Sequence, residues 1–268
     1  MEHYENDEKV AGISLYSYDV AENGFYPFYP INDGSDVYFL QIAASWGQAW
    51  TQKQWTDFKK WFSQNQEIVN EEKLPRYVRD FTKTSWKKHF INYMVETDKY
   101  FVFPQKALST NFEDPGVNAD TQGIYQVQLE NERRNYRFQN FDQSNAIYDA
   151  HFELKTSCVK SLAPSLSNYD FEVDLYGSKE ISNVGKPMLL TTKPAQNPEL
   201  SFAMEMLPNV ANIIFNIPGE QIHLCKTENA TDEVVAFEKN YYKLRNVSHI
   251  IYKDLSLIHI WRCRRMVA

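Results

Sequence analysis

Five of the six tryptophans lie between Trp46 and Trp86, and three of them fall inside residues 45–55, S-W-G-Q-A-W-T-Q-K-Q-W. Such a density of large rings must be buried in a core or turned towards a ligand, which constrains the fold more than any other stretch. Gly47 follows Trp46 and lets a second backbone or a ligand come close. Thr51 and Gln54 have the spacing of a capping box, so a helix is expected from Thr51 to about Asn70. Trp55, Phe58, Trp61 and Phe62 recur at helical spacing and are expected to form its buried face. Trp46 and Trp50 precede the cap and are the freer pair. Aromatic faces beside a glycine turn and a helix N-terminus suit a sugar or a phosphate-bearing ligand, and the same rings would also serve as core.

A chain of 268 residues has room for one large domain or two modest ones. Its 43% hydrophobic and 15% aromatic content supplies a core and argues against disorder. The net charge of -7, with no basic stripe, excludes nucleic acid as a partner. No apolar run reaches about 18 residues, so no transmembrane segment is expected, while peripheral membrane contact stays open. The first residues, M-E-H-Y-E-N-D-E-K, are polar and acidic, unlike a signal peptide. Cys158, Cys225 and Cys263 share no metal-ligand or redox spacing, which points to inert thiols in the cytoplasm.

Residues 10–18 alternate as a strand, and 36–42 read as a second strand delivering the Trp46-Gly47 turn. The loop between them is rich in Tyr, Phe and Pro and would line a pocket or cover the core. A second helix is expected after a cap at Thr84 or Ser85, burying Trp86, Phe90, Tyr93 and Met94, with Lys87, Lys88, Asn92 and Glu96 facing elsewhere. Residues 100–104 form a strand stopped by Pro104, followed by a polar loop over 108–118 suited to binding. Residues 125–129 read as a strand and 145–162 as a helix. Short strands at 171–176, 188–192, 200–206, 212–217 and 222–226 make a small, mainly antiparallel sheet. A helix is expected over 234–252, and the natural protein is expected to run on past Asp254. Residues 255–265, L-S-L-I-H-I-W-R-C-R-R, resemble a translated transposase sequencing adapter with Trp261 read from TGA. Like an expression scar, 255–268 is excluded from fold reasoning, and removing Arg262, Arg264 and Arg265 takes the charge from -7 to -10.

Several of these stretches, in this order, resemble glycosyltransferase family 2. They are Asp7-Glu8-Lys9-Val10-Ala11-Gly12-Ile13-Ser14, the Ser45-Trp46-Gly47-Gln48-Ala49-Trp50 turn, Thr84-Ser85-Trp86-Lys87-Lys88, the strand at 100–104 and Leu108-Ser109-Thr110-Asn111-Phe112. The likeness covers roughly residues 7–118, and more loosely the strand at 169–177 of bacterial polysaccharide-building members. It implies an α/β fold: residues 1–122 as the acceptor-side half of a GT-A-like domain, 123–168 as a linking strand and helix, and 169–254 as an accessory β-rich region. It implies transfer of a sugar from a nucleotide-sugar donor to an acceptor hydroxyl in surface-polysaccharide assembly, with a general base and a divalent Mg or Mn ion.

The resemblance implies acceptor binding by Ser45, Trp46, Gly47 and Trp50. It makes Lys87, Lys88 and Asn111 candidates for donor phosphate, and Asp36 the candidate base. Each has a plainer alternative: solvated lysines, a loop-stabilising amide, a turn-capping carboxylate. The chain departs from the family in lacking an Asp-X-Asp metal motif, a Gly-rich phosphate loop and a first βαβ unit. Glu172-Val173-Asp174 lies far downstream and reads as a solvated strand face. The expectation is therefore a fragment without the donor and metal half, inactive as it stands, whose parent is the enzyme. The alternative is a non-catalytic carbohydrate-binding or scaffold module.

Overall fold

Thr51 begins the first long helix by the expected chemistry. Its hydroxyl accepts the Gln54 N–H at 3.1 Å, and the Gln54 side chain returns to accept the Thr51 N–H at 2.9 Å. The computed structural model describes residues 2–68, 70–111 and 125–233. The expected helix over 234–252, the tail from residue 255, Cys263 and most of the 108–118 loop lie outside them.

Helix α1 runs Gln52–Gln64, shorter than expected. Asn65 stops it: its backbone N–H donates to Phe62 O and its side-chain amide to Trp61 O, satisfying carbonyls that a further turn would have used. Phe58 is buried, but Trp55 is 43% exposed, so the core-facing stripe is narrower than the spacing implied. After a short α2 (Arg76–Arg79), α3 spans Trp86–Thr97, with Ser85 as N-cap accepting the Lys88 N–H. Phe90, Tyr93 and Met94 are buried as expected, while Trp86 is exposed. Lys88 and Asn92 do not face outward: both are buried, because the rest of the chain covers that side of α3 too.

These helices support a five-stranded sheet. Its strands are β1 (Val10–Ser14), β4 (Val37–Leu40), β5 (Gln48–Ala49), β6 (Tyr100–Pro104) and β7 (Ile147–Tyr148), in the order β5-β1-β6-β4-β7. A two-stranded hairpin, β2 (Val20–Ala21) and β3 (Tyr26–Pro27), stands apart from it. β1 is parallel to β6 and β4 to β7, whereas β5 is antiparallel to β1 and β4 to β6. The sheet is thus evenly mixed rather than mostly parallel. Gly12 is required where β1 crosses β6, because a Cβ there would lie 2.6 Å from the Phe101 ring.

The expected helix over 145–162 divides. Ile147 and Tyr148 pair with Phe39 and Leu40 as β7, and Asp149 then accepts the His151 and Glu153 N–H groups, turning the chain. Only Thr156–Leu162 is helical (α4). The second sheet contains β8 (Phe171–Asp174), β9 (Met188–Thr191), β10 (Leu200–Phe202) and β11 (Ile222–Lys226) in the order β10-β11-β9-β8. Two of its three pairings are antiparallel. The expected strand at 212–217 does not form: Asn212–Ile214 lie in α5 (Val210–Ile214), and residues 215–216 follow it as a turn. Buried Asn212 explains the change: its side chain accepts from Glu205 and Met206 N–H and donates to Met206 O and Asn209 O, a local network no strand could offer.

One continuous buried cluster joins both sheets, from Val10, Phe39 and Phe101 through Tyr148 to Phe171, Leu190 and Leu224. Asp174 is not on a solvated face: it is fully buried. Beside it, Lys179 Nζ lies 2.7 Å from Asp149 and 2.9 Å from Glu172, tying β8 to the first sheet. Among the described residues no helix is long and apolar enough to cross a membrane.

Candidate functional site

Three segments meet where parallel strands β1 and β6 end. Leu15, just past β1, donates its N–H to Gly47 O at 2.7 Å. Its carbonyl accepts the N–H groups of Leu108 and Ser109, beyond β6, at 2.6 and 3.1 Å. The Ser109 hydroxyl donates to Trp46 O at 2.9 Å and closes the ring of contacts. Gly47 has φ +70°, and a Cβ there would sit 2.7 Å from Ser109 Oγ, so both its conformation and its surroundings demand glycine.

This clamp fixes the Trp46 indole. The ring is half-buried, with centroids 4.8 Å from Tyr16 and 5.0 Å from Tyr125. Tyr16 is fully buried and donates its hydroxyl to Tyr125 O at 3.0 Å, so the wall is held from behind. Ser45 is exposed beside it. Trp50, expected in the same wall, belongs to another cluster. It packs 5.4 Å from Trp55, 5.7 Å from Phe90 and 6.2 Å from Phe101, against the face of β1 at Gly12.

Charge enters through the β2–β3 hairpin. Glu22, 7% exposed, accepts the Tyr18 hydroxyl at 3.2 Å, and Tyr18 stacks edge-on against Tyr16 at 5.1 Å. Lys87 Nζ lies 3.0 Å from both Glu22 oxygens and 5.6 Å from the Phe81 ring centroid. Burial first, and then the Glu22 carboxylate, hold the phenols of Tyr18 and Tyr77 well above the ordinary range, so both remain neutral donors. The buried Tyr77 hydroxyl has no hydrogen-bond partner among the described residues.

The remaining candidates are already engaged. Lys88 Nζ bonds Arg79 O at 2.8 Å and Glu71 at 2.9 Å. Asp36, at the head of β4, pairs with Arg134 at 3.0 Å and accepts the Arg137 N–H at 2.7 Å. It therefore fastens residues 134–137 to the sheet and has no lone carboxylate oxygen to offer as a base. Asn111 is half-buried two residues beyond Ser109. Glu22, Tyr16 and Tyr125 were not singled out from the sequence. The alternation of Tyr16 and Tyr18 around Ser17 was a signal for one buried face; nothing local marks Glu22.

A divalent ion does not fit these side chains. Glu22 is paired with Lys87, Asp36 with Arg134, and Asp33 accepts from Ser144 and Asn145. Among the described residues no group of three or more His, Cys, Asp or Glu side chains could hold a metal. What the edge offers is an aromatic wall beside backbone and hydroxyl groups, with a neutralised ion pair behind it. Compared with family models, curated proteins and solved structures, the chain gives no significant match.

Proposed function

We propose that this chain carries the acceptor-facing part of a nucleotide-sugar-dependent family 2 glycosyltransferase, one that extends surface polysaccharides. The observation that supports it most is the half-buried Trp46 indole, clamped by Gly47, Leu15 and Ser109 at the carboxyl ends of β1 and β6. Open α/β sheets bind ligands at that edge. A pyranose would lay its C–H face on the indole, and Ser45 and Ser109 would meet its hydroxyls. The proposal assigns the nucleotide-sugar and its Mg²⁺ or Mn²⁺ to parts of the protein beyond the described residues, so these residues would bind a saccharide without turning it over.

The engagement of Asp36, Lys87 and Lys88 in internal ion pairs favours a second reading, a non-catalytic carbohydrate-binding module. Calorimetry tests the donor assignment, and reconstitution separates the two readings. A saccharide signal with none for UDP and Mn²⁺ fits either reading for this chain alone, and micromolar UDP binding would contradict the assignment of the donor elsewhere. Transfer restored by a separately supplied donor domain would support the enzyme over the module.

A further inference from the structure

A cavity of about 570 Å³ opens between the β2–β3 hairpin and the four-stranded sheet, away from Trp46. Its volume falls in the range of small-molecule sites. Leu175, Met204 and Leu207 give it an apolar floor, and Tyr26 and Tyr176, stacked at 5.6 Å, give it an aromatic side. The lining is braced. Tyr176 donates its hydroxyl to Pro27 O at 3.2 Å, Asn209 donates to Leu175 O at 3.1 Å, and Asn212 holds the backbone of Glu205 and Met206.

Its charge is one-sided. Glu205, Glu220 and Glu233 stand exposed around it, and none has a basic side chain within ion-pair distance among the described residues. The cationic lining residue Lys193 is 5% exposed and already pairs with Asp232 at 3.0 Å. His223 is half-buried, and burial holds its pKa below the ordinary value, so it is neutral at pH 7. Three carboxylates with no ion-pair partner among the described residues, over an aromatic and aliphatic lining, attract a positive charge joined to an apolar body through long-range attraction and cation–π contact.

We propose that this cavity binds an organic ammonium ion with an aromatic or branched apolar body. The test is calorimetry on the full chain at low salt, with benzyltrimethylammonium, benzyl alcohol and benzoate as probes. The expected result is that the ammonium binds about tenfold or more tighter than the alcohol and benzoate not at all, a preference that salt weakens. The combined Glu205→Gln, Glu220→Gln and Glu233→Gln variant should lose that preference while keeping its circular dichroism, since all three side chains are exposed. Met204→Trp, which fills the floor, should abolish binding of both the ammonium and the alcohol. Equal binding of ammonium and alcohol, an unchanged preference in the triple variant, or no heat from the ammonium up to ~10 mM would overturn the proposal.

Discussion

Lys87 Nζ stands 3.0 Å from both carboxylate oxygens of Glu22, across 65 residues of sequence, with the two side chains 16% and 6% exposed. The pair locks the N-terminal turn of α3 to the β2–β3 hairpin behind the aromatic wall. Two lysines at a helix N-terminus oppose the dipole. Here Glu22 answers the first and Glu71 the second.

Removing one partner of that pair leaves the other charge stranded. Lys87→Met should cost about 3–5 kcal/mol in urea unfolding, whereas Lys87→Met combined with Glu22→Gln should recover most of the loss. Equal destabilisation by the single and double variants would mean the pair is no more than a surface contact.

The capping box at Thr51 makes a smaller and cleaner prediction. Thr51→Ala removes one cap bond and should lower stability by about 1 kcal/mol, with Thr51→Ser near neutral. Thermal unfolding of the three proteins checks the order.

Glycine at 47 is a matter of backbone conformation and space together. Gly47→Ala should destabilise by about 1–3 kcal/mol, combining positive φ with the 2.7 Å approach of Ser109 Oγ. Adding Ser109→Ala should relieve the contact and return only part of the loss, because the φ cost stays. Chemical denaturation of the single and double variants measures both parts.

Buried carboxylates set the pH dependence. Burial raises the Asp174 pKa to about 7 and that of Glu153 well above the ordinary carboxyl range. An acid whose folded pKa is raised binds more protons folded than unfolded. Its contribution is complete below about pH 4 and is lost as pH rises through 7. His151 works in the opposite direction: burial lowers its pKa to about 4, so its contribution is present above the unfolded value near 6.5 and lost below it. The two offset each other in acid, so the informative quantity is a difference. Asp174→Asn should gain stability relative to wild type as pH rises from 4 to 8. A constant gap across that range would show that folding does not raise the Asp174 pKa above its unfolded value.

What could be read from the sequence was local chemistry. The Thr51–Gln54 box, the Ser85 cap, the strand ending at Pro104 and the mixed α/β class all rest on neighbours within a few residues. Failures came where distant partners decide. Ile147 and Tyr148 look helical beside 156–162 but find β4 across more than a hundred residues. Asn212, Ile213 and Ile214 look like a strand until the Asn212 side chain closes its own network. Trp55 and Trp50 were exchanged: the first faces solvent, and the second packs into the space that Gly12 leaves on β1. At the candidate site, Trp46 and Gly47 were legible from the missing side chain and the aromatic beside it. The Glu22–Lys87 pair was not, because no local pattern marks a glutamate in a hairpin as the partner of a lysine on a later helix.

The central claim is that the Trp46 indole receives a sugar ring. The most direct measurement follows the tryptophan indole N–H resonances of the ¹⁵N-labelled chain during titration with cellotetraose, chitotetraose and a galactose-containing tetrasaccharide. The expected result is a saturable shift of the Trp46 signal by at least one of them, with Trp61 unmoved and the binding lost in Trp46→Ala. An unmoved Trp46 resonance with all three, or saccharide binding that survives Trp46→Ala, would contradict it.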